Sequence, residues 1–206
     1  MNNMKSIVVY CGANPGINPI YAQQAYRLGE VLAAKGIRVI YGGGNLGLMG
    51  KVANGAIENE GAVTGIIPNF LAKLEVAHQT LTELHLVDTM HERKAKMVAV
   101  SDAVIALPGG YGTFDELFEI LTWSQLKIFT GPIGLLNTNG YYDLLLQQLD
   151  KMVEEGFLQP HNRSLLLVDS DIEGLLIQME SHIARVGGNK NLDRSLYVDD
   201  GDGSTP

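Results

Sequence analysis

The chain has 206 residues, 46% hydrophobic and 18% charged, a balance that excludes disorder for its bulk and suits one large domain rather than two. Fifteen basic against 23 acidic residues leave a net charge of −8, which repels a phosphate backbone and argues against a nucleic-acid partner. A single cysteine excludes an internal disulfide, and the apolar run after Lys5 is too short for a signal or membrane segment, so a soluble, cytoplasmic protein is expected.

Short apolar runs alternate with longer helical patterns, the rhythm of βαβ units around a parallel sheet. The predicted strands are Ser6 to Tyr10, Arg38 to Tyr41, Val63 to Ile67, Glu83 to Leu86, Ala103 to Leu107, Ile133 to Leu136 and Leu165 to Asp169. Most are continuous apolar stretches suited to burial on both faces. Asn18 can cap a first helix with Pro19 at its first position; Tyr21, Ala25, Leu28 and Leu32 then share one face and Gly36 ends it. Further helices are predicted at Leu48 to Glu60, Asp88 to Ser101, Thr113 to Ile128, Tyr141 to Glu155 and Asp171 to Arg185. The expected fold is a single Rossmann-like α/β domain over residues 1–186, three layers with a mostly parallel sheet and helices on both faces. Residues 187–206 turn polar and are expected to form a mobile tail.

Two glycine loops follow predicted strands and open predicted helices. In Gly42-Gly43-Gly44-Asn45-Leu46-Gly47-Leu48-Met49-Gly50, amides of Gly43 and Gly44 could approach phosphate oxygens with a helix dipole behind them. Alternatively, the glycines serve only a tight turn and close packing. Gly42, Gly44 and Gly47 satisfy a G-x-G-x-x-G pattern, but a dinucleotide site belongs after the first strand and needs an acidic residue about 20 positions on. The strand Val63 to Ile67 supplies none, which counts against a nicotinamide cofactor. The second loop, Pro108-Gly109-Gly110-Tyr111-Gly112-Thr113-Phe114-Asp115-Glu116, lacks the Gly-Lys-Ser/Thr of a triphosphatase loop. Its Thr113 and Glu116 have the spacing of a capping box. Its place at the carboxyl end of a parallel strand equally makes Glu116 a candidate acid or base.

Thr89 and Glu92 form a second capping-box pattern, followed by Arg93 and Lys94. Two cations near a helix N-terminus oppose the macrodipole. They point to an anionic ligand such as a phosphate, or to a solvated surface pair. Cys11 reads as a small buried side chain. His78, His85, His91, His161 and His182 show no zinc-like spacing, so no metal is expected.

The stretch Gly42 to Gly50, the run Met90-His91-Glu92-Arg93-Lys94 and the stretch Pro108 to Glu116 together resemble the Lonely Guy (LOG) family of cytokinin-activating phosphoribohydrolases. The resemblance covers about Lys5 to Arg185. It implies hydrolysis of cytokinin riboside 5′-monophosphates, and in many bacterial relatives of AMP, to the free base and ribose 5-phosphate. It also implies a catalytic pair, Arg93 and Glu116. The phosphate and sugar loop would be Gly110, Tyr111, Gly112, Thr113, Phe114, Asp115 and Glu116, with Gly109 beside it and Glu75, Lys94 and Thr122 as further substrate contacts. A homodimer, with each site completed near the partner subunit, is implied as well. An older label for the family, lysine decarboxylase, finds no pyridoxal-phosphate lysine site in this chain, and no cofactor is expected.

Elementary chemistry agrees with that implication. Breaking an N-glycosidic bond builds positive charge on the sugar, which a carboxylate such as Glu116 can stabilise while it activates water. Arg93, planar and permanently charged, suits anchoring of the phosphate or fixing of the carboxylate and base. The rival readings are a non-catalytic carrier of nucleotide or molybdenum cofactor on a similar fold and, third, an NAD(P)-dependent oxidoreductase.

Overall fold

All seven predicted strands form: β1 (Ser6–Tyr10), β2 (Arg38–Tyr41), β3 (Val63–Pro68), β4 (Glu83–Val87), β5 (Ala103–Ala106), β6 (Ile133–Leu136) and β7 (Leu166–Asp169). This computed structural model describes residues 4–72, 78 and 80–186, so Glu75 and the stretch 187–206 lie outside the described residues. The strands make one sheet in the order β4-β3-β2-β1-β5-β6-β7, and every pair is parallel. Among the described residues eight helices connect or flank them: α1 (Pro19–Ala34), α2 (Gly47–Ile57), α3 (Asn69–Ala72), α4 (Met90–Ala99), α5 (Tyr111–Gln125), α6 (Asp143–Glu154), α7 (Pro160–Arg163) and α8 (Ile172–Val186). The short α3 and α7, and the 3₁₀ turn Thr138–Gly140, go beyond the predicted elements.

Strand alternation divides the core into two layers. Ile7, Val9 and Cys11 pack with α1, α2 and α8 through residues such as Leu28, Val52 and Leu175. Val8 and Tyr10 face Met97 of α4, Leu117 and Ile120 of α5 and Leu149 of α6. Helices therefore cover both faces, as expected of a doubly wound sheet.

The helix starts show where local signals hold. The Asn18 side chain accepts from the Ile20 amide at 3.0 Å, with Pro19 next. Thr89 caps α4 by accepting from the Glu92 amide at 3.1 Å, and the Glu92 carboxylate accepts from the Asp88 amide at 2.9 Å. The Thr113 capping box does not form. Gly110 is the N-cap of α5, without a side-chain cap, so Thr113 and Glu116 already lie inside the helix.

Chain order places the functional end. From β1 the chain winds outward through β2, β3 and β4, then returns to β5 on the other side of β1. The loops leaving β1 and β5 consequently diverge and open a crevice at the carboxyl ends of these strands, where open α/β sheets take their ligands.

Candidate active site

A cleft of about 480 Å³ occupies this switch point. Its walls are the loop Gly12 to Gly16 after β1, Leu48 and Met49 of α2, Met90 and Arg93 of α4, and the Pro108 to Glu116 segment, with Leu71, Tyr21 and Tyr141 also lining it. Buried charge at a switch point is costly unless it has chemistry or a ligand to meet.

Arg93 is such a charge. It is only 6% exposed, its Nε has no hydrogen-bond partner, and Nη1 reaches only the Met90 sulfur at 3.8 Å. No carboxylate among the described residues pairs with it. Gly42 makes its position possible, because a Cβ there would collide with Nη2. An unpaired, rigid guanidinium lining a cleft is built to receive an anion or a polarised group.

Glu116 enters the cleft from α5 and is 9% exposed. Burial pushes its carboxyl up to about 7; Arg93 and Lys94 oppose the shift, and Asp115 and Glu119 add to it. A carboxyl that ionises near neutrality is suited to proton transfer, and desolvation is the usual means of producing one. Cys11, buried at the end of β1 as expected, also lines the cleft. Burial, reinforced by Glu116 and opposed by Arg93, lifts its thiol well above the ordinary range. Cys11 is therefore neutral and not a nucleophile.

The second glycine loop holds the opposite wall. A Cβ on Gly109 would strike Thr113 Oγ1 and approach the Gly12 amide, so glycine is needed there for packing. At Gly110 and Gly112, by contrast, a Cβ would meet nothing within 4 Å. With Gly110 as an uncapped N-cap, the first amides of α5 remain available to an anion. The Tyr141 hydroxyl donates to the Gly109 carbonyl at 2.6 Å and fixes the loop; its ring stands edge-on to Tyr21 and Tyr142.

Arg93, Gly109, Gly110, Gly112, Thr113, Asp115 and Glu116 thus converge on one cleft. Other expected contacts do not line it. Tyr111 is exposed beside it, Phe114 packs on Tyr142, and Thr122 donates to the Phe118 carbonyl on the outer side of α5. Lys94 is buried, not a solvated surface residue, and points to α5, where it pairs with Asp115 and Glu119. Of the first glycine loop, neither Gly43 nor Gly44 lines the cleft, whereas its Leu48 and Met49 do. The Gly43 carbonyl accepts from the His78 amide, and the Leu48 amide at the start of α2 is taken by the Gly12 carbonyl. One amide of this helix start is thus taken by protein. The loop Gly12 to Gly16, with Tyr21 and Tyr141, went unrecognised in the sequence; its position after the first strand, beside the switch point, was the available signal. Among the described residues no cluster of His, Cys, Asp and Glu could hold a metal ion.

A family model described as "Possible lysine decarboxylase" matches residues 49–179. The chain is 48% identical over 178 residues to the cytokinin riboside 5′-monophosphate phosphoribohydrolase of Rhodococcoides fascians, covering 86% of this chain and 90% of that protein. It belongs to the LOG family. An Arabidopsis thaliana protein of the same name is 42% identical over 184 residues, covering 89% of this chain and 86% of its own. Among solved structures, the molybdenum cofactor binding protein of Rippkaea orientalis superposes with a TM-score of 0.65 at 24% identity, over 87% of this chain and 98% of that one. At that identity the likeness to this neighbour of LOG proteins shows the shared fold alone. No helix among the described residues is long and apolar enough to cross a membrane.

Proposed function

We propose that this LOG protein hydrolyses the N-glycosidic bond of nucleoside 5′-monophosphates, AMP or its N6-prenylated analogues, to the free base and ribose 5-phosphate. The observation that carries the reading is the pairing, in one cleft, of an Arg93 with no carboxylate partner among the described residues and a Glu116 poised to ionise near pH 7. The names of the relatives at 42–48% identity support it.

In this reading the uncapped start of α5 at Gly110 to Thr113 and the Arg93 guanidinium hold the anionic phosphate and orient the sugar. Glu116, ionised, faces the positive charge that grows at C1′ as the bond to the base lengthens. It accepts a proton from water as the water oxygen bonds to C1′; the electron pair of the broken C1′–N bond stays with the base, which takes that proton from Glu116. Water is thereby split across the bond with no cofactor. Among the described residues the cleft offers no lysine amine free to form a Schiff base: Lys94, the one buried lysine among them, is held by Asp115 and Glu119.

The working unit of this proposal is a cytoplasmic homodimer. The outer side of α5 exposes Tyr111, Phe118 and Leu126 beside partly buried Leu121 and Trp123, an apolar surface beyond the needs of one sheet contact. Thr122 sits in a shallow depression on that side with Phe118 and Trp123.

The test is incubation with AMP and with adenosine at matched concentrations, with base and sugar phosphate quantified. Base should appear from AMP at a rate far above that from adenosine, even at saturation, because the phosphate positions the reacting sugar. Intact AMP after prolonged incubation would favour the carrier reading, and equal cleavage of adenosine would remove the phosphate-anchoring roles of Arg93 and the loop.

A further inference from the structure

Arg93 and Lys94 are adjacent in sequence, yet successive positions on a helix point about 100° apart. Arg93 lines the cleft; Lys94 does not. Its ammonium lies 3.1 Å from Asp115 Oδ2 and 3.0 Å from Glu119 Oε1, with the side chain 9% exposed. Burial opposes that charge, but the hydrogen bonds to Glu119 and Asp115 outweigh it and hold the amine above its ordinary midpoint. Lys94 is satisfied without a ligand.

The two carboxylates it binds are those that flank Glu116 along α5. We infer that Lys94 is a positioning residue acting on Glu116 rather than a contact of the nucleotide: by pairing with Asp115 and Glu119 it neutralises its two acidic neighbours and keeps the Glu116 carboxyl in its charged, competent form. The inference rests on the reading of Glu116 as the catalytic carboxylate.

Among the described residues, four charges act on Glu116. Arg93 and Lys94 approach from α4, and Asp115 and Glu119 lie on α5 itself. From β1, Tyr10 and Cys11 stand near, both pushed far up, first by burial, and so neutral at working pH. Asp115 and Glu119 push the Glu116 midpoint up, whereas Lys94 pulls it down. Removing Lys94 acts twice in the same direction, since one stabilising cation goes and two carboxylates lose their partner. An opposite charge within about 4–6 Å shifts a carboxyl by about one unit or more.

The experiment is a carboxyl titration of ¹³C-glutamate-labelled protein, with the Glu116 signal assigned by its loss in Glu116→Gln. It is run alongside pH profiles of AMP hydrolysis for the same proteins. Lys94→Met should raise the Glu116 midpoint by about one unit, and Lys94→Arg should restore it. The double variant Asp115→Asn with Glu119→Gln should lower it, which tests the inference even where Lys94→Met does not fold. With wild type half ionised near pH 7, a rise of about one unit would cost Lys94→Met about five-fold in rate at pH 7. The rate should recover toward wild type by about pH 9, with KM for AMP little changed. Unmoved midpoints would overturn the inference. So would a pH-independent loss with KM raised for AMP but not for adenosine, the signature of a direct phosphate contact. Should wild type leave AMP intact, the proposed reaction falls, while the titration still decides whether Lys94 governs the Glu116 proton.

Discussion

Replacing Glu116 by glutamine should make the protein more stable above neutral pH while disabling it. The buried carboxyl has a midpoint of about 7, against 4.5 in an unexposed-to-perturbation chain, so the folded protein holds this proton more tightly than the unfolded one. Such a group contributes its stability below the unfolded midpoint and loses it as pH rises through the folded one. Between pH 5 and pH 8 wild type should therefore lose about 2–3 kcal/mol from this site alone. Glutamine resembles the protonated form and loses nothing over that range. The difference in melting temperature between Glu116→Gln and wild type should grow by roughly 5–10 °C from pH 5 to pH 8, at 2–4 °C per kcal/mol for a domain of this size. Turnover of AMP should fall by about 10²-fold or more at pH 8, where the wild-type carboxylate is ionised, and by less toward pH 5. Calorimetric scans of both proteins across that range provide the assay. A melting difference that stays constant from pH 5 to pH 8 would refute the raised midpoint and the role built on it.

Gly42→Ala should misplace the Arg93 guanidinium, because the new Cβ falls on Nη2; kcat/KM should drop at least 10²-fold while circular dichroism stays that of the folded protein. Tyr141→Phe removes the 2.6 Å bond to the Gly109 carbonyl and should weaken AMP binding by roughly five-fold, about 1 kcal/mol, as measured by KM. Phe118→Arg places a charge on the exposed side of α5; sedimentation should then show the 22.3 kDa monomer in place of a dimer. Chelator should leave the rate unchanged, since the proposed chemistry uses no metal ion.

The sheet was legible because most of its strands are buried apolar runs, and the capped starts of α1 and α4 because Asn18-Pro19 and Thr89 carry local signals. The start of α5 was misread for a physical reason: Thr113-x-x-Glu116 has capping-box spacing, but the chain turns into the helix at Gly110 and draws Thr113 against Gly109. That shift takes Glu116 away from capping and into the cleft. The pair Arg93 and Lys94 looked like one anion site because sequence adjacency hides the angle between them. Only the packing of α4 against α5 separates an open cation from a paired one. In the Gly42 to Gly44 loop, Gly42 lies against the Arg93 guanidinium, and the Gly43 carbonyl accepts from the His78 amide. These are long-range contacts, invisible to any local pattern.

Whether Glu116 in this cleft breaks a nucleotide's glycosidic bond is decided by single-turnover reaction with protein in excess of AMP. Wild type should convert the bound AMP to equimolar adenine and ribose 5-phosphate, while Glu116→Gln binds AMP with similar affinity and leaves it intact. Bound AMP left whole by wild type, or cleaved equally fast by both proteins, would contradict the account.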